Sequence, residues 1–320
     1  MNLIRVHLTQ DRITIEPFPF PPDKFVGGRA IIDYWMNEYV SPTVHPLSEG
    51  NQLIVATGLL AGTSAPSSGR LSIGGKSPLT GGIKEANVGG TAGHKLGRLG
   101  VQAIVVEGKG KEWQILKFDD KGAVLERAGD IVGLDNYAAC EMLRQRYGNG
   151  IGILITGPAG EMKLANSTVA ATDMEGRPCR HAARGGVGAI MGSKLLKAIV
   201  IDDTGMSLRK AIDSSAFNAA AKAAIEAIKS SPYYQLVHNM GTPGMVDIDN
   251  GRGSLQVNNF HQGSFEKFQN INGNKMVELS KVRGGMMGHG CMPGCAMQCS
   301  TIFHDADGKY LTASLEYETL

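Results

Sequence analysis

Three cysteines near the end of the chain are the residues best suited to carry chemistry. Cys291, Cys295 and Cys299 are evenly spaced in the segment HGCMPGCAMQCS. Pro293 and Gly294 disfavour a regular helix between the first two, so a loop could bring the three thiols together. Three thiolates from one loop, with a fourth ligand from elsewhere, commonly hold an iron–sulfur cluster. The spacing therefore favours such a cluster.

Two other interpretations of these cysteines stay open. Zinc is one, because His289 and His304 lie close by, although the three-residue gaps fit the usual paired Cys-x₂-Cys knuckles poorly. The other is a chance grouping of structural or redox-active cysteines. Cys140 and Cys179 are scattered along the chain, and this usage is typical of a reducing compartment, where disulfides are rare.

Three further segments combine glycine, arginine and small hydroxyl residues. They are Gly27-Gly28-Arg29, the run GTSAPSSGR that ends at Arg70, and HAARGGVGAIMGSK around Arg184. Successive N–H groups in glycine turns bind anions, and an arginine offers a fixed fork to a phosphate or a pterin edge. The spacing matches neither a dinucleotide fingerprint nor a P-loop. Hairpin turns that happen to carry a surface arginine remain the alternative for each segment.

The elements that position these residues suggest an α+β protein. Up to about residue 205, β-branched runs alternate with glycine turns: LIRVHL, RITIE, QLIVATG, AIVVEG, WQILKF, IGILITG and KAIVIDD. Helical patterns interrupt this β-rich domain at 22–40 and 134–146. The alanine-rich stretch 207–230 predicts an amphipathic helix that opens a second, partly helical domain over 206–320. No internal repeat is evident in the sequence.

Composition narrows the class of protein. With 42% hydrophobic residues, the 320-residue chain can bury at least one large core. Its 32 basic and 30 acidic residues give a net charge of +2 without a dense run, which argues against a nucleic-acid partner. Charges interrupt the amino-terminal segment, and no later stretch is apolar enough for a membrane span, so we expect a cytoplasmic protein.

In order and spacing, these segments resemble the aldehyde ferredoxin oxidoreductase family along essentially the whole chain. The resemblance is carried by NLIRVHLT, FVGGRA at 25–30, ATGLLAGTSAPSSGR at 56–70, KSPLTGGIKEANVGG at 76–90, AIVVEGK at 103–109, ITGPAGE at 155–161, ARGGVGAIMGSKLLKA at 183–198, the cysteine loop and LEYETL at the terminus.

The resemblance implies a β-rich base that carries two pterin dithiolenes around one tungsten or molybdenum atom. A magnesium ion would bridge the pterin phosphates, and helical domains would cover the base. The implied cofactor contacts are Arg70, Asn87, Gly89, Gly90, Ala183 and Arg184. Of these, the two arginines would contact pterin or its phosphates, the asparagine and alanine would lie at the magnesium-bridged phosphates, and the two glycines would allow close approach.

The resemblance also implies an activity. Cys291, Cys295 and Cys299 would bind a [4Fe–4S] cluster that relays electrons from the metal to ferredoxin or a similar acceptor. An aldehyde would be oxidised to a carboxylic acid, and Glu318 in the motif Glu316-Tyr317-Glu318 would act as the acid–base group near the metal. On residue type alone, a glutamate at this position would be a solvated surface charge.

Chains of this family are longer, and their later part supplies the fourth cysteine, further pterin contacts and a catalytic histidine. We therefore expect this chain to be a fragment, a truncated product or one subunit of a split enzyme. Its partners would then include a second chain with the missing half, and a second copy of this chain is a further candidate. The alternative function is that of a non-catalytic subunit for cofactor binding or electron transfer.

Overall fold

The computed structural model describes residues 1–19 and 27–317. The chain forms two compact units, Met1–Ser214 and Ser215–Leu320. The sequence places its domain boundary slightly earlier, at residues 205–206. Large mixed sheets and several helices confirm the predicted α+β class.

The elements of the first unit are β1 (Asn2–His7), β2 (Arg12–Pro17), α1 (Arg29–Tyr39), β3 (Leu53–Thr57), β4 (Leu71–Lys76), β5 (Ile83–Val88), α2 (Ala92–Arg98), β6 (Val101–Glu107), β7 (Gln114–Asp119), β8 (Gly122–Arg127), α3 (Asn136–Tyr147), β9 (Gly152–Thr156), α4 (Pro158–Glu161), β10 (Val169–Ala171), β11 (Arg180–Ala182), α5 (Val187–Ser193) and β12 (Leu196–Ile201). Every strand predicted from a β-branched run is confirmed. The helices predicted near 22–40 and 134–146 are confirmed as α1 and α3, although part of the first lies outside the described residues.

The described part of this unit contains two six-stranded sheets that share a core. Their strand orders are β2-β1-β6-β3-β4-β5 and β11-β10-β9-β12-β7-β8. Alternate side chains of each sheet point inward, so Ile4 and Val55 of the first sheet belong to the same buried cluster as Leu154 and Ile199 of the second. The two sheets therefore pack face to face.

Helices cover both outer faces of this pair of sheets. Ile31, Ile32 and Trp35 of α1 bury against the first sheet, and Ala139 and Leu143 of α3 bury against the second. The start of α3 is fixed by Asp135, whose carboxylate accepts hydrogen bonds from the N–H groups of Tyr137 and Ala138 at 2.8 and 2.9 Å. The short helices α2 and α5 contribute to the core between the sheets.

The second sheet repeats the topology of the first. Adding six to each strand number of β2-β1-β6-β3-β4-β5 gives β8-β7-β12-β9-β10-β11, and the pairs β1–β6 and β7–β12 are both parallel. The connecting helices repeat as well, because α1 and α2 occupy the chain positions that α3 and α5 occupy in the second half. The topology therefore contains an internal repeat that is not evident in the sequence.

Individual contacts repeat too. The side-chain amide nitrogen Nε2 of Gln102 donates to the backbone oxygen of Thr57 at 2.8 Å. Nζ of Lys197 donates to the backbone oxygen of Thr156 at 2.9 Å. Thr57 and Thr156 end the equivalent strands β3 and β9. In each half, the backbone oxygen at the end of the strand thus accepts a hydrogen bond from the second residue of the neighbouring strand, β6 or β12, although the side chains differ. That difference in residue type hides the repeat from the sequence.

The elements of the second unit are α6 (Ser214–Ser230), α7 (Pro232–Met240), α8 (Val246–Arg252), α9 (Gly273–Arg283), β13 (Met286–His289), β14 (Ser300–His304) and β15 (Tyr310–Ala313). The alanine-rich pattern correctly predicts α6. The antiparallel sheet β13-β14-β15 was not predicted. Asn272 caps α9 by accepting from the Lys275 N–H at 3.0 Å, and the helix packs on β13 and β14.

Within the described residues, no helix combines the length and apolar character required to cross a bilayer.

The close packing of α5 predicts that one added methyl group, at Gly192, lowers the stability of the fold. A Cβ added to Gly192 would overlap the backbone oxygen of Gly160, so Gly192→Ala should lower the free energy of unfolding by about 1–3 kcal/mol. Gly97→Ala in the equivalent helix α2 should behave similarly, because its Cβ would overlap the backbone of Ala61. Gly129→Ala, with open space around its Cβ, should change stability by about 0.5 kcal/mol or less. Chemical denaturation measures all three, and equal stabilities would contradict the repeated close contact.

Candidate functional site

A groove runs along the line where one edge of each sheet meets the other. β5 and β11 are edge strands, and they contact each other. Two adjoining cavities of about 580 and 450 Å³ lie along β5, and Arg29, Asp33, Glu85 and Asn87 line both. We refer to the two cavities together as the seam groove. Its volume is in the range of small-molecule and cofactor sites.

Arg70 lies at one end of the seam groove, immediately before β4. Its Nε donates to Oδ1 of Asn87, and its Nη2 donates to the Asn87 backbone oxygen at 3.2 Å. The Asn87 amide lies 3.4 Å from Oγ of Ser72, the residue opposite it in the β4–β5 pairing. The register of these two strands therefore brings together Arg70 and Asn87, two of the residues that the family resemblance singles out.

Charged side chains of α1 and β5 meet at the centre of the groove. Nε of Arg29 donates to Oε1 of Glu85 at 2.6 Å, and Asp33 lies one helical turn after Arg29. Burial and the neighbouring carboxylate of Glu85 raise the pKa of Asp33, whereas Arg29 opposes that rise. The centre of the groove thus holds two carboxylates and one guanidinium.

Ala183 and Arg184 form the other end of the groove, just after β11. Both are exposed and line the larger cavity together with His181, whose Nδ1 is 2.8 Å from Oγ1 of Thr168. Within the described chain, Arg184 makes no hydrogen bond or ion pair. An exposed guanidinium without a protein partner is available to an anionic ligand.

Gly89 and Gly90 follow β5 and are buried. Gly90 has a φ of +89°, and a Cβ there would clash with the backbone oxygen of Thr172, which also accepts from the Thr91 N–H at 3.0 Å. This packing accounts for a glycine at position 90 without a ligand. In the described structure, neither glycine lines the seam groove. Their predicted approach to a cofactor stays a prediction.

The segments that follow the two edge strands of the groove, β5 and β11, are equivalent in the repeat. Gly89-Gly90 connects β5 to α2, and Gly185-Gly186 connects β11 to α5. Arg184 and Ala183 precede the second glycine pair as Val88 and Asn87 precede the first. The seam groove is therefore lined by equivalent residues of the two halves, Asn87 and Ala183, each of which stands two positions before its glycine pair.

The three clustered cysteines lie in the loop between the adjacent strands β13 and β14. All three are partly exposed. Gly294 and Gln298 have positive φ angles of 69° and 50°, which curl the loop, and the Gln298 N–H points at Sγ of Cys295 at 3.3 Å. The predicted loop is confirmed, whereas its cluster stays a prediction.

The protonation of Cys295 differs from that of the scattered cysteines. A hydrogen bond from the Cys291 thiol, together with backbone N–H groups of the loop, lowers the pKa of Cys295 to about 5 despite partial burial. Burial raises the pKa of Cys140 and of Cys179 to about 12 in each case. Only a thiolate binds metal strongly, so Cys295 presents the reactive form while Cys140 and Cys179 remain thiols.

Among residues 1–19 and 27–317, no three His, Cys, Asp or Glu side chains surround a point where a single ion could sit. An iron–sulfur cluster distributes its cysteine ligands over several iron atoms, so its thiols do not have to converge on one point.

Glu318 lies outside the described residues. Its neighbour in the motif, Glu316, accepts a hydrogen bond from Oγ1 of Thr242 at 2.5 Å through Oε2. Tyr317 donates its backbone N–H to the same hydroxyl at 3.2 Å. The motif is therefore tied to the turn before α8 through Thr242.

Four titratable residues of the groove were missed by the sequence interpretation, namely Asp33, Lys84, Glu85 and His181. A signal existed for one of them. In IKEANV at 83–88, alternate residues of a strand share a face, so Glu85 must accompany Asn87. The strand itself was not predicted, and the signal was lost with it.

The residues of the seam groove suit an anionic pterin cofactor. Arg29, Arg70 and Arg184 can bind phosphates, and the carboxylates of Asp33 and Glu85 can accept hydrogen bonds from the N–H groups of a pterin edge. In the second unit, three thiols in a curled loop suit an iron–sulfur cluster. The donor sets in both units therefore fit the groups implied by the resemblance.

Comparison with known proteins identifies relatives. The family model described as aldehyde ferredoxin oxidoreductase, N-terminal domain, matches residues 3–203. The model described as aldehyde ferredoxin oxidoreductase, domains 2 and 3, matches residues 219–320. These two matches cover nearly the whole chain.

Curated relatives agree with these models. The tungsten-containing aldehyde ferredoxin oxidoreductase of Pyrococcus furiosus is 35% identical over 297 residues, which cover 92% of this chain and 48% of the relative. The enzyme of the same name from Thermococcus kodakarensis is 32% identical over the same shares. The aliphatic sulfonate oxidoreductase, WOR-like subunit, of P. furiosus is 27% identical over 64% of this chain and 34% of its own length. The chain thus spans about half the length of the first two relatives.

A solved structure shares the fold. The active-site complex BamBC of benzoyl coenzyme A reductase with 1,5-dienoyl-CoA has a TM-score of 0.78 and 20% identity, and the match covers 98% of this chain and 48% of that chain. Two family models in chain order and relatives matched over most of the sequence lead to one conclusion. This chain belongs to the aldehyde ferredoxin oxidoreductase family.

Proposed function

We propose that the chain forms the cofactor-binding part of an oxidoreductase that converts aldehydes to carboxylic acids at a tungsten- or molybdenum-bis-pterin centre. A [4Fe–4S] cluster on Cys291, Cys295 and Cys299 passes the electrons to ferredoxin or a similar acceptor. When bound, the metal–pterin centre accepts the two electrons released as an aldehyde and water become an acid and two protons.

One observation carries this proposal. The seam groove lies where the edge strands β5 and β11 of the two repeats meet, and it is lined by the equivalent residues Asn87 and Ala183, with Arg70 near one end and Arg184 at the other. A cofactor made of two like pterin halves has the same approximate twofold character. A ligand without such halves would use only one of the two equivalent strand ends.

The chain's own residues would hold the cofactor in place. Arg70 is oriented by Asn87, so its fork is preorganised toward one phosphate or pterin edge. Arg184 and Ala183 would contact the second half, and a Mg²⁺ ion would bridge the phosphates near Asn87 and Ala183. Gly89 and Gly90 would let the backbone approach the pterin.

Partners and location follow from this function. The remaining part of the family fold would supply the fourth cluster ligand and the substrate pocket, in the same polypeptide or in a second chain. Ferredoxin, or a similar one-electron acceptor, would accept electrons from the cluster, and a second copy of the chain could form a homodimer. The protein would act in the cytoplasm.

A second candidate function is a non-catalytic subunit of a split enzyme that binds cofactor or transfers electrons. It is favoured by the P. furiosus relative that is named as a subunit. Aldehyde oxidation by the purified complete protein would distinguish the two functions, because the second candidate binds pterin or cluster without turnover.

Removal of either groove arginine should release pterin. A phosphate that loses a charged partner in a buried site loses on the order of 2–5 kcal/mol of binding, so Arg70→Ala and Arg184→Ala should each lower the pterin content of the complete enzyme. Arg127→Ala is the matched control. Arg127 lies in the edge strand β8, away from the seam groove, and forms an ion pair with Glu112. Fluorescence of extracted pterin is the measurement. Full pterin content in both groove variants would favour surface arginines without a cofactor role.

The cysteine loop should hold an incomplete cluster when the described chain is reconstituted anaerobically. Three thiolates leave one iron without a protein ligand, so we expect a three-iron type or an oxygen-sensitive spectrum by electron paramagnetic resonance. Cys295→Ser should abolish it, and Cys179→Ser should not, because the Cys179 thiol lies outside the loop. An air-stable four-iron spectrum from this chain alone would contradict the missing fourth ligand.

Glu318 is proposed as the acid–base group, on the motif alone. In the complete enzyme, Glu318→Gln should lower aldehyde turnover by roughly 10²-fold while metal, pterin and iron contents stay unchanged, because glutamine keeps the size but cannot accept a proton. Glu316→Gln is the control and should be milder, since a glutamine can still accept the hydrogen bond of Thr242. Small and equal losses of turnover in both variants would show that the two glutamates are solvated surface charges. The reaction would then require another base.

A further inference from the structure

Glu85 has a buried oxygen that the protein itself does not satisfy. Its side chain is 10% exposed, and the guanidinium of Arg29 binds Oε1. Oε2 is buried and has no hydrogen-bond partner among the described residues. A buried carboxylate oxygen without a donor or a cation is costly, and Glu85 lines both cavities of the seam groove. This oxygen therefore points to a ligand in the groove.

The charges of the whole groove indicate what kind of donor suits this oxygen. In the described chain, the cations that line the two cavities are Arg29, Arg70, Lys84 and Arg184, and the carboxylates are Asp33 and Glu85. The excess of positive charge favours a ligand that is anionic as a whole. A donor for Oε2 is then an N–H group on an anionic ligand, and a heterocycle that carries a phosphate has both features.

The second half of the repeat shows that the fold does not require a carboxylate at this position. Ala86 of β5 and Ala182 of β11 are both buried in the shared core, and each stands three positions before its glycine pair. The residues that precede them, Glu85 and His181, therefore occupy equivalent places, and both line the larger cavity. An imidazole can donate or accept, whereas an ionised carboxylate only accepts. The two halves of the groove thus offer different hydrogen bonds to like parts of a ligand.

We propose that Glu85 determines specificity in the first half of the groove by accepting a hydrogen bond from the amino edge of one pterin through Oε2. His181 contacts the edge of the second pterin and accommodates either a donor or an acceptor there. The two pterins are therefore recognised by different criteria, although they occupy equivalent halves of the groove. This inference rests on the proposed function, which supplies the pterins, and it names the group of the pterin that the first half requires.

Two fluorescent anionic pteridines, carboxypterin and carboxylumazine, test the proposal. They differ at the carbon between the two nitrogens of the pyrimidine ring, which carries an amino donor in carboxypterin and an oxygen acceptor in carboxylumazine. Equilibrium dialysis against the full 320-residue chain measures how many equivalents of each are bound. We expect about two equivalents of carboxypterin and about one of carboxylumazine, because an acceptor that faces Oε2 leaves two buried acceptors without a donor.

Substitution of Glu85 should reverse this preference. In Glu85→Gln, Arg29 retains the side-chain oxygen, so the amide N–H₂ group takes the place of Oε2 and offers a donor. This variant should bind about two equivalents of carboxylumazine and about one of carboxypterin. Asp33→Asn is the matched control, because it removes the same charge from the groove but leaves Oε2 in place, and it should behave like the wild type.

His181→Ala provides a second variant at an exposed position. It should bind about one equivalent of carboxypterin and almost no carboxylumazine, since only the half with Glu85 remains. Circular dichroism checks that each variant is folded, and His181→Ala carries the test if Glu85→Gln is not.

Equal numbers of the two pteridines bound to the wild-type chain would overturn the assignment of Glu85, as would the absence of carboxypterin binding. The pterin content of the complete enzyme judges the proposed function separately. An enzyme that retains its pterins, although the chain does not distinguish the two pteridines, loses only the assignment of Glu85.

Discussion

The architecture of the first unit depends on close backbone contacts at its two inner helices. α2 crosses the connection after β3 at Gly97, and α5 crosses α4 at Gly192, and neither position has room for a methyl group. Because the helices lie this close, both sheets can share one core around them. The same turns that lead into these helices follow β5 and β11. The seam groove is therefore a direct consequence of how the core is closed.

The sequence predicted the strands with continuous β-branched runs and missed β4, β5 and β11, which border the groove, as well as β8 and β10, which do not. Continuous β-branched runs such as QLIVATG correspond to strands buried on both faces, and burial leaves little choice of residue. β4 and β5 read LSIGGK and IKEANV, in which paired glycines and charges break the strand pattern. Those departures coincide with the wall of the groove. Local rules fail most where a strand must serve a ligand as well as a core.

The repeat escaped sequence interpretation for a related reason. Gln102 and Lys197 donate equivalent hydrogen bonds to the backbone oxygens that end β3 and β9. Gln102 is a neutral amide, whereas Lys197 is a cation that also pairs with Glu161. The fold conserves a donor at that position and not a residue type. The cysteine loop was easier to predict, because a proline, a glycine and the even spacing of three thiols are all local features. Which side chains meet across the seam depends on long-range register.

The carboxylates Asp33 and Glu85 affect which anionic ligands the groove accepts more than how tightly it binds them. A carboxylate about 4 Å from a bound phosphate costs about 1 kcal/mol in water and several-fold more where solvent is excluded. Asp33 and Glu85 therefore penalise free phosphate and other simple anions, although three arginines line the same groove. A ligand escapes the penalty if it presents a cation or N–H donors to these two side chains. The proposed pterin cofactor, with a metal ion between its two phosphates, would present both, so the acidic pair would exclude competing anions at little cost to the binding of that cofactor.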